Sequence, residues 1–148
     1  MGISSHGSSI QVCFFLFSIL VSKGLSSSDP TIVVQVQNDI DQTVLKIHCK
    51  SLDQDLGKHA LNFRNEWHWR FRAGSGTTYF SCHYQWYDKN DKRYYQGSHE
   101  VYKGGFIGFE PKYDILCQSK CVWSARWDGI YLYRSDKEMW ERRFVWDP

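Results

Sequence analysis

Three histidines and a lysine are the side chains of this sequence that could carry out acid–base chemistry. His48, His68 and His83 each neighbour a core-forming residue in an alternating stretch, so all three are expected on the outward faces of strands, as is Lys46. Two histidines and a lysine that converge on a phosphate are what a secreted nuclease needs. A shared outward face would bring these groups together.

Other features of the sequence argue against an enzyme. It contains no Gly-x-Ser-x-Gly, no His-Glu-x-x-His and no phosphate-cradling glycine loop. Polar residues on the outer side of a sheet are also what any β-sandwich shows. We therefore predict that the chain has no catalytic residues, and we keep the nuclease as the least favoured alternative.

Four cysteines favour two disulfide bonds, with three possible connectivities: Cys49, Cys82, Cys117 and Cys121. We favour Cys49 with Cys121 and Cys82 with Cys117, because Cys117 and Cys121 are neighbours that each need a distant partner. In the chain-entropy model such long bridges contribute roughly 4 kcal/mol each, against about 2 kcal/mol for a tight Cys117 to Cys121 link.

A zinc site made of two of these cysteines with His48 and His83 is the rival interpretation. Each of those histidines is adjacent to its cysteine on a strand, so the two side chains point to opposite faces and could not share one tetrahedron. We predict no metal site and no cofactor.

The N-terminal region predicts export. Residues 1–28 have the features of a cleaved secretory signal peptide, with an apolar run at residues 10–21 followed by small residues at 24–28. Residues 29–148 are then one domain, which we expect to be secreted, extracellular, monomeric and not membrane-inserted. The balance of 18 Lys and Arg against 16 Asp and Glu argues against a nucleic-acid partner.

The elements that position these groups centre on the stretch from Trp67 to Trp86. Trp67, Trp69 and Phe71 alternate with polar residues, and the alternation resumes from Thr78 to Trp86. The intervening residues 74–76, Gly-Ser-Gly, permit the positive φ of a tight turn. The stretch therefore predicts a β-hairpin with an aromatic inner face.

The rest of the chain predicts short strands and turns. Strands are expected at residues 31–39, 44–50, 94–102, 121–126 and 130–133, with shorter pieces at 106–109 and 113–117. Residues 51–59 and 87–93 are predicted to be charged surface loops, and Trp140, Phe144 and Trp146 are expected over the sandwich edge. Together these elements predict an all-β fold, a small antiparallel β-sandwich of about seven or eight strands stapled by two disulfides.

Several ordered motifs resemble the plant self-incompatibility S1 family, the S-protein homologues. They are the segments Lys46 to Ser51, Asp55 to Gly57 with His59, Trp67 to Phe71, Thr78 to Cys82, Cys117 to Trp123, and Asp128 to Tyr131. The resemblance covers nearly all of residues 31–148. It implies a small secreted plant protein with a disulfide-stabilised β-sandwich, in a family of which one poppy member, made by the stigma, acts as a ligand for a pollen membrane receptor and triggers rejection of self pollen.

The function predicted from this resemblance is recognition without chemistry. We expect the chain to be a ligand for a plasma-membrane receptor of a target cell, in pollen rejection or a related developmental or defence role. Loop residues are the candidate contacts: Asp53, Asp55, Lys58, Lys89, Asp91 and Lys92. The alternative is a carbohydrate- or cell-wall-binding module that uses exposed aromatics such as Tyr94, Tyr95 and Tyr102.

Overall fold

The computed structural model describes residues 30–73, 78–104 and 112–148, apart from the side chains of residues 112 and 114. Within these ranges it has nine strands and one short helix: β1 (Thr31–Asn38), β2 (Leu45–Ser51), β3 (Asp55–Leu61), β4 (Glu66–Arg72), β5 (Thr78–Asp88), β6 (Arg93–Gly104), α1 (Lys112–Leu116), β7 (Lys120–Arg126), β8 (Gly129–Arg134) and β9 (Met139–Phe144). The predicted signal peptide, the turn at residues 74–76 and the strand piece predicted at 106–109 lie outside the described residues.

The nine strands form two sheets around one core. One sheet has the order β4-β1-β7-β8-β9 and the other β3-β2-β5-β6. Neighbouring strands are antiparallel, with the exception of the parallel pair β1 and β7. The two sheets confirm the predicted β-sandwich, with nine strands in the described part of the chain where seven or eight were expected.

The alternation of apolar and polar residues fixes which face of each strand is buried. On β2, Leu45, Ile47 and Cys49 are buried, whereas Lys46 and Lys50 are exposed and His48 is half-buried. The same period holds on the long strand β5, where the predicted inward residues from Phe80 to Trp86 are buried. The inward faces of these strands were therefore predicted correctly.

The predicted hairpin between the two halves of the aromatic stretch is wrong. β4 pairs with β1, with Trp69 opposite Val34, and β5 pairs with β2 and β6, so β4 and β5 belong to different sheets. Their aromatic faces meet across the core, where the ring centroids of Phe71 and Phe80 are 4.7 Å apart. The alternation of aromatic and polar residues indicated which side chains form the aromatic core, but it did not indicate which strand is hydrogen-bonded to which.

The surface loop predicted at residues 51–59 is shorter than expected. The chain turns at residues 52–54, and from Asp55 onward it forms β3, which pairs with β2. β3 is an edge strand, and most of its residues are exposed apart from the buried Leu61. Because such a strand needs little apolar surface, its polar sequence does not distinguish it from a loop.

The region after β6 also differs from the prediction. The strand piece expected at residues 113–117 is the five-residue helix α1, which places Tyr113 and Leu116 in the core. The tail predicted to lie over the sandwich edge instead forms the edge strand β9, and Trp146 beyond it is buried. A single helical turn is too short to produce a helical period in the sequence.

Both favoured disulfide pairings, Cys49 with Cys121 and Cys82 with Cys117, are wrong. Cys49 is bridged to Cys82, which lies directly opposite it on the neighbouring strand, with the two Cα atoms 4.0 Å apart. Cys117 is bridged to Cys121, four residues later, across a turn in which Gln118 has a φ of 55°. Strand register decided the Cys49–Cys82 pairing, and closeness along the chain decided the Cys117–Cys121 pairing. A bridge needs Cα atoms within about 7 Å, whatever the loop length.

Candidate functional site

The three histidines predicted on outward faces do not converge. His48 and His83 lie directly opposite each other on β2 and β5. His68 is exposed on β4, which belongs to the other sheet. The structure therefore brings His48 and His83 together beside Lys46 and leaves His68 apart.

Each of the two facing histidines is oriented by one hydrogen bond. The Nε2 atom of His48 lies 2.7 Å from Oδ1 of Asp55, and Nδ1 of His83 lies 2.7 Å from Oγ of Ser98. The backbone N–H of Gly57, 2.8 Å from the same Asp55 oxygen, together with His48 lowers the pKa of the Asp55 carboxyl. The carboxylate thus stays charged beside the His48 ring.

A cavity of about 560 Å³ lies on the solvent side of the four-stranded sheet, at its β3, β2 and β5 strands. We call this surface the outer face. It is lined by Lys46, His48, Lys58, His83 and Gln85 around the short side chain of Ala60. Ala60 lies opposite Lys46, and Lys58 lies opposite His48, so the register of β2 with β3 gathers these groups.

A second cavity, of about 380 Å³, continues from the first towards one end of the sandwich. The two share Lys46 and Gln85 in their linings. Further along, the second cavity is bordered by the exposed side chains of Val44, Tyr87 and Tyr94. The outer face and this end of the sandwich therefore form a continuous depression.

Four connections meet at that end, which we call the loop end: residues 39–44, 62–65, 89–92 and 127–128. The buried side chain of Asn38 links the first two, because its amide donates to the carbonyls of Thr43 and Leu61, at 2.9 Å each, and its oxygen accepts from the N–H of Ile40. The Thr43 hydroxyl donates to the carbonyl of Tyr87. These bonds hold the connection 39–44 to the strand ends at Leu61 and Tyr87.

Aromatic side chains are exposed at the loop end. Trp127 is 46% exposed, while its ring packs edge-on against the buried Trp86 at 5.1 Å between centroids. The rings of Tyr87 and Tyr94 lie 5.0 Å apart. Sequence reasoning missed Trp127, although its position just before the Asp128-Gly129 turn was a signal, since a hairpin tip is rarely a place to bury a tryptophan.

The turn from β5 to β6 is internally fixed. The Asp88 carboxylate, 6% exposed, accepts the backbone N–H groups of Asn90 and Asp91 at 2.8 and 3.3 Å. The hydroxyl of Tyr95 donates to the Asp91 carboxylate at 2.8 Å and accepts from Arg93 at 2.9 Å. The ring of Tyr95 also stacks on the buried Trp86, so the turn is packed against the core.

The six predicted contact residues fall in three separate places. Lys89, Asp91 and Lys92 lie in the turn at the loop end, where Lys89 lines the cavity. Asp55 and Lys58 lie on the edge strand β3 beside the outer face. Asp53 lies in the turn at the opposite end of the sheet, where its carboxylate accepts from the Ser51 hydroxyl. The structure does not unite them in one site.

The three tyrosines predicted for carbohydrate binding are not equally accessible. Tyr94 is 55% exposed, Tyr95 is half-buried against Trp86, and Tyr102 is buried. Only Tyr94 of the three could stack against a ligand.

No group of three or more histidine, cysteine or carboxylate side chains suited to a metal ion occurs within residues 30–73, 78–104 and 112–148. All four cysteines of the predicted disulfides are bridged. Among the helices in the described part of the chain, none has the length and apolar composition to cross a membrane.

Comparison with known proteins gives one consistent result. The family model described as "Plant self-incompatibility protein S1" matches residues 33–146. S-protein homolog 19 of Arabidopsis thaliana is 32% identical over 120 residues, which cover 78% of this chain and 74% of the relative. Self-incompatibility protein S1 of Papaver rhoeas is 30% identical over 134 residues, which cover 86% and 88% of the two chains.

Proposed function

Because this chain belongs to the plant self-incompatibility protein S1 family, we propose that it is a secreted recognition ligand that binds the extracellular part of a plasma-membrane receptor. Its relatives are named as S-proteins and not as enzymes. The relative in Papaver rhoeas carries self-incompatibility in its name, so pollen rejection, or another form of cell–cell recognition, is the class of process proposed here.

The observation that carries this proposal is a set of exposed aromatic residues at the loop end, where hydrogen bonds hold the surrounding turns in place. Trp and Tyr are enriched among the residues that dominate protein–protein binding energy. Trp127, Tyr87 and Tyr94 are exposed there, and the turn carrying Lys89 is fixed by the buried Asp88. A surface that is already ordered loses less conformational entropy on binding.

Export is part of the proposal. Two disulfides are typical of proteins that fold in an oxidising compartment. We propose that residues 1–28 are a cleaved signal peptide and that the mature protein, residues 29–148, is extracellular. N-terminal sequencing of the protein recovered from the culture medium of expressing plant cells tests this, and a product that stays inside the cells with residues 1–28 attached would contradict it.

The receptor-ligand proposal is tested by binding to plasma-membrane vesicles prepared from the plant that makes the protein. The double variant Tyr87→Ala, Lys89→Ala removes an exposed ring and a charge from the loop end, and we expect it to weaken binding by about tenfold or more. The matched control is Leu52→Ala, Lys137→Ala, which removes an exposed apolar side chain and a lysine away from the loop end.

Two results would contradict the proposal. One is equal binding by the loop-end and control variants, with near-UV circular dichroism showing both folded. The other is binding that persists after the vesicles are treated with protease, because a lipid or glycan would then be the partner in place of a receptor protein.

A further inference from the structure

We propose that the outer face of the four-stranded sheet binds a uronate oligosaccharide, a chain of sugars that each carry one carboxylate. This site adjoins the loop end, with which it shares the second cavity, and the proposal does not depend on the receptor. It assigns a ligand class to the cavity that Lys46, His48, Lys58 and His83 line.

Charge is the first argument. Lysine and histidine side chains surround the cavity, and neither its lining nor that of the adjoining cavity includes an aspartate or a glutamate among the described residues. The Asp55 carboxylate, which contacts the cavity-lining His48, is engaged by that ring and by the N–H of Gly57. Lysines on neighbouring strands, without intervening acids, produce a positive potential that attracts anions.

The shape of the depression is the second argument. From His83 to Tyr87 along β5 the strand advances about 13 Å, at roughly 3.3 Å per residue. Along that path lie Gln85 and Lys46, which both cavities share. An extended, shallow site with charges at one end and tyrosines at the other suits an oligomer better than a single small anion.

The polar and aromatic side chains favour a sugar over a peptide or a phosphate. The amide of Gln85 can both donate to and accept from hydroxyl groups. The exposed Tyr94 ring offers a flat apolar surface for the C–H face of a pyranose. Backbone groups of the inner strands β2 and β5 are already paired with their neighbours, so a peptide could not add there as a strand.

Phosphate recognition usually relies on arginine forks, helix N-termini or glycine-rich loops. No arginine lines either cavity among the described residues, and the site lies on strands. The ammonium groups of Lys46 and Lys58 act as compact point charges on neighbouring strands, which suits carboxylates spaced along a polymer.

The test uses an oligogalacturonate as the probe, titrated calorimetrically into the full mature protein in calcium-free buffer. We expect saturable binding that weakens as salt is raised. The double variant Lys46→Ala, Lys58→Ala should bind about tenfold or more weakly, because each lysine supplies a charge-assisted hydrogen bond. The control Lys120→Ala, Lys137→Ala loses the same net charge from exposed positions away from the outer face, and we expect it to change affinity less than about twofold.

Two further probes separate sugar recognition from simple charge attraction. The methyl-esterified oligomer keeps the sugar chain and loses the charge, and polyglutamate keeps the charge and loses the sugar. We expect both to bind at least about tenfold more weakly than the uronate. Equal binding of polyglutamate, equal loss in the two lysine double variants, or no binding of the uronate would each overturn the proposal. The loop-end variant Tyr87→Ala, Lys89→Ala tests the receptor separately, on vesicles.

Discussion

Removing the Cys49–Cys82 bridge should destabilise the protein more than removing the Cys117–Cys121 bridge. In the chain-entropy model a disulfide restricts the unfolded chain by an amount that grows with the logarithm of the loop it closes. The bridges join residues 33 and 4 positions apart. These separations correspond to about 4 and about 2 kcal/mol respectively.

The comparison between the two bridges isolates this entropic difference. All four cysteines are buried, with 1% or less of their surface exposed, so each Cys→Ala pair removes similar sulfur contacts from the core. The double variants Cys49→Ala, Cys82→Ala and Cys117→Ala, Cys121→Ala should therefore differ by about 2 kcal/mol in the free energy of unfolding. With a urea slope of about 1.5 kcal/mol per molar, the midpoints should lie roughly 1 M apart.

A tryptic digest without reduction should first establish the connectivity. We expect peptide 47–50 linked to peptide 73–89, and peptide 113–120 linked to peptide 121–126. Links from 47–50 to 121–126 and from 73–89 to 113–120 would restore the pairing first favoured from the sequence. Equal urea midpoints for the two double variants, or a lower midpoint for the one without Cys117 and Cys121, would refute the entropic reasoning.

Three further predictions concern buried polar groups, each measured by urea unfolding. Tyr84→Phe should keep or raise stability, by up to about 2 kcal/mol, because the buried Tyr84 hydroxyl has no partner among the described residues and burial raises its pKa; a clear loss of stability would show that the hydroxyl is satisfied. Asn38→Ala should cost about 3 kcal/mol, because it removes three hydrogen bonds at the loop end, and a loss below about 1 kcal/mol would contradict the linking role of Asn38. Burial lowers the pKa of His99 from 6.5, against a smaller opposing effect of Asp147, so the unfolded chain takes up this proton more readily. Stability should therefore fall as the pH drops below about 6.5, and His99→Gln should flatten that fall; an equally steep fall in the variant would contradict this reasoning.

The faces of the strands could be predicted from the sequence, and their partners could not. Alternation placed Leu45, Ile47 and Cys49 inside correctly, because burial depends on each residue's own side chain. Hydrogen bonding between strands uses backbone groups that every residue shares. The alternation of apolar and polar residues in β4 therefore does not indicate that this strand pairs with β1 and not with β5.

The candidate site was predictable in part for related reasons. The turn that carries Lys89, Asp91 and Lys92 was identified because charged residues and Asn-Asp mark turns. The partners of that turn at the loop end come from three other connections, and only the fold brings them together. Likewise, the facing positions of His48 and His83 depend on the register between β2 and β5, which a single strand cannot reveal.

The parallel pairing of β1 with β7 constrains how the protein can be made. β1 precedes the other strands along the chain, yet it occupies an interior position in its sheet, with Val34 opposite Cys121. During synthesis, one edge of this valine-rich strand stays unpaired until β7 has been made. Contacts between residues so far apart in sequence slow folding and expose unpaired strands to aggregation. A chaperone that covers β1 during this delay would therefore improve the yield of folded protein, and chains truncated before residue 120 should fail to accumulate in soluble form.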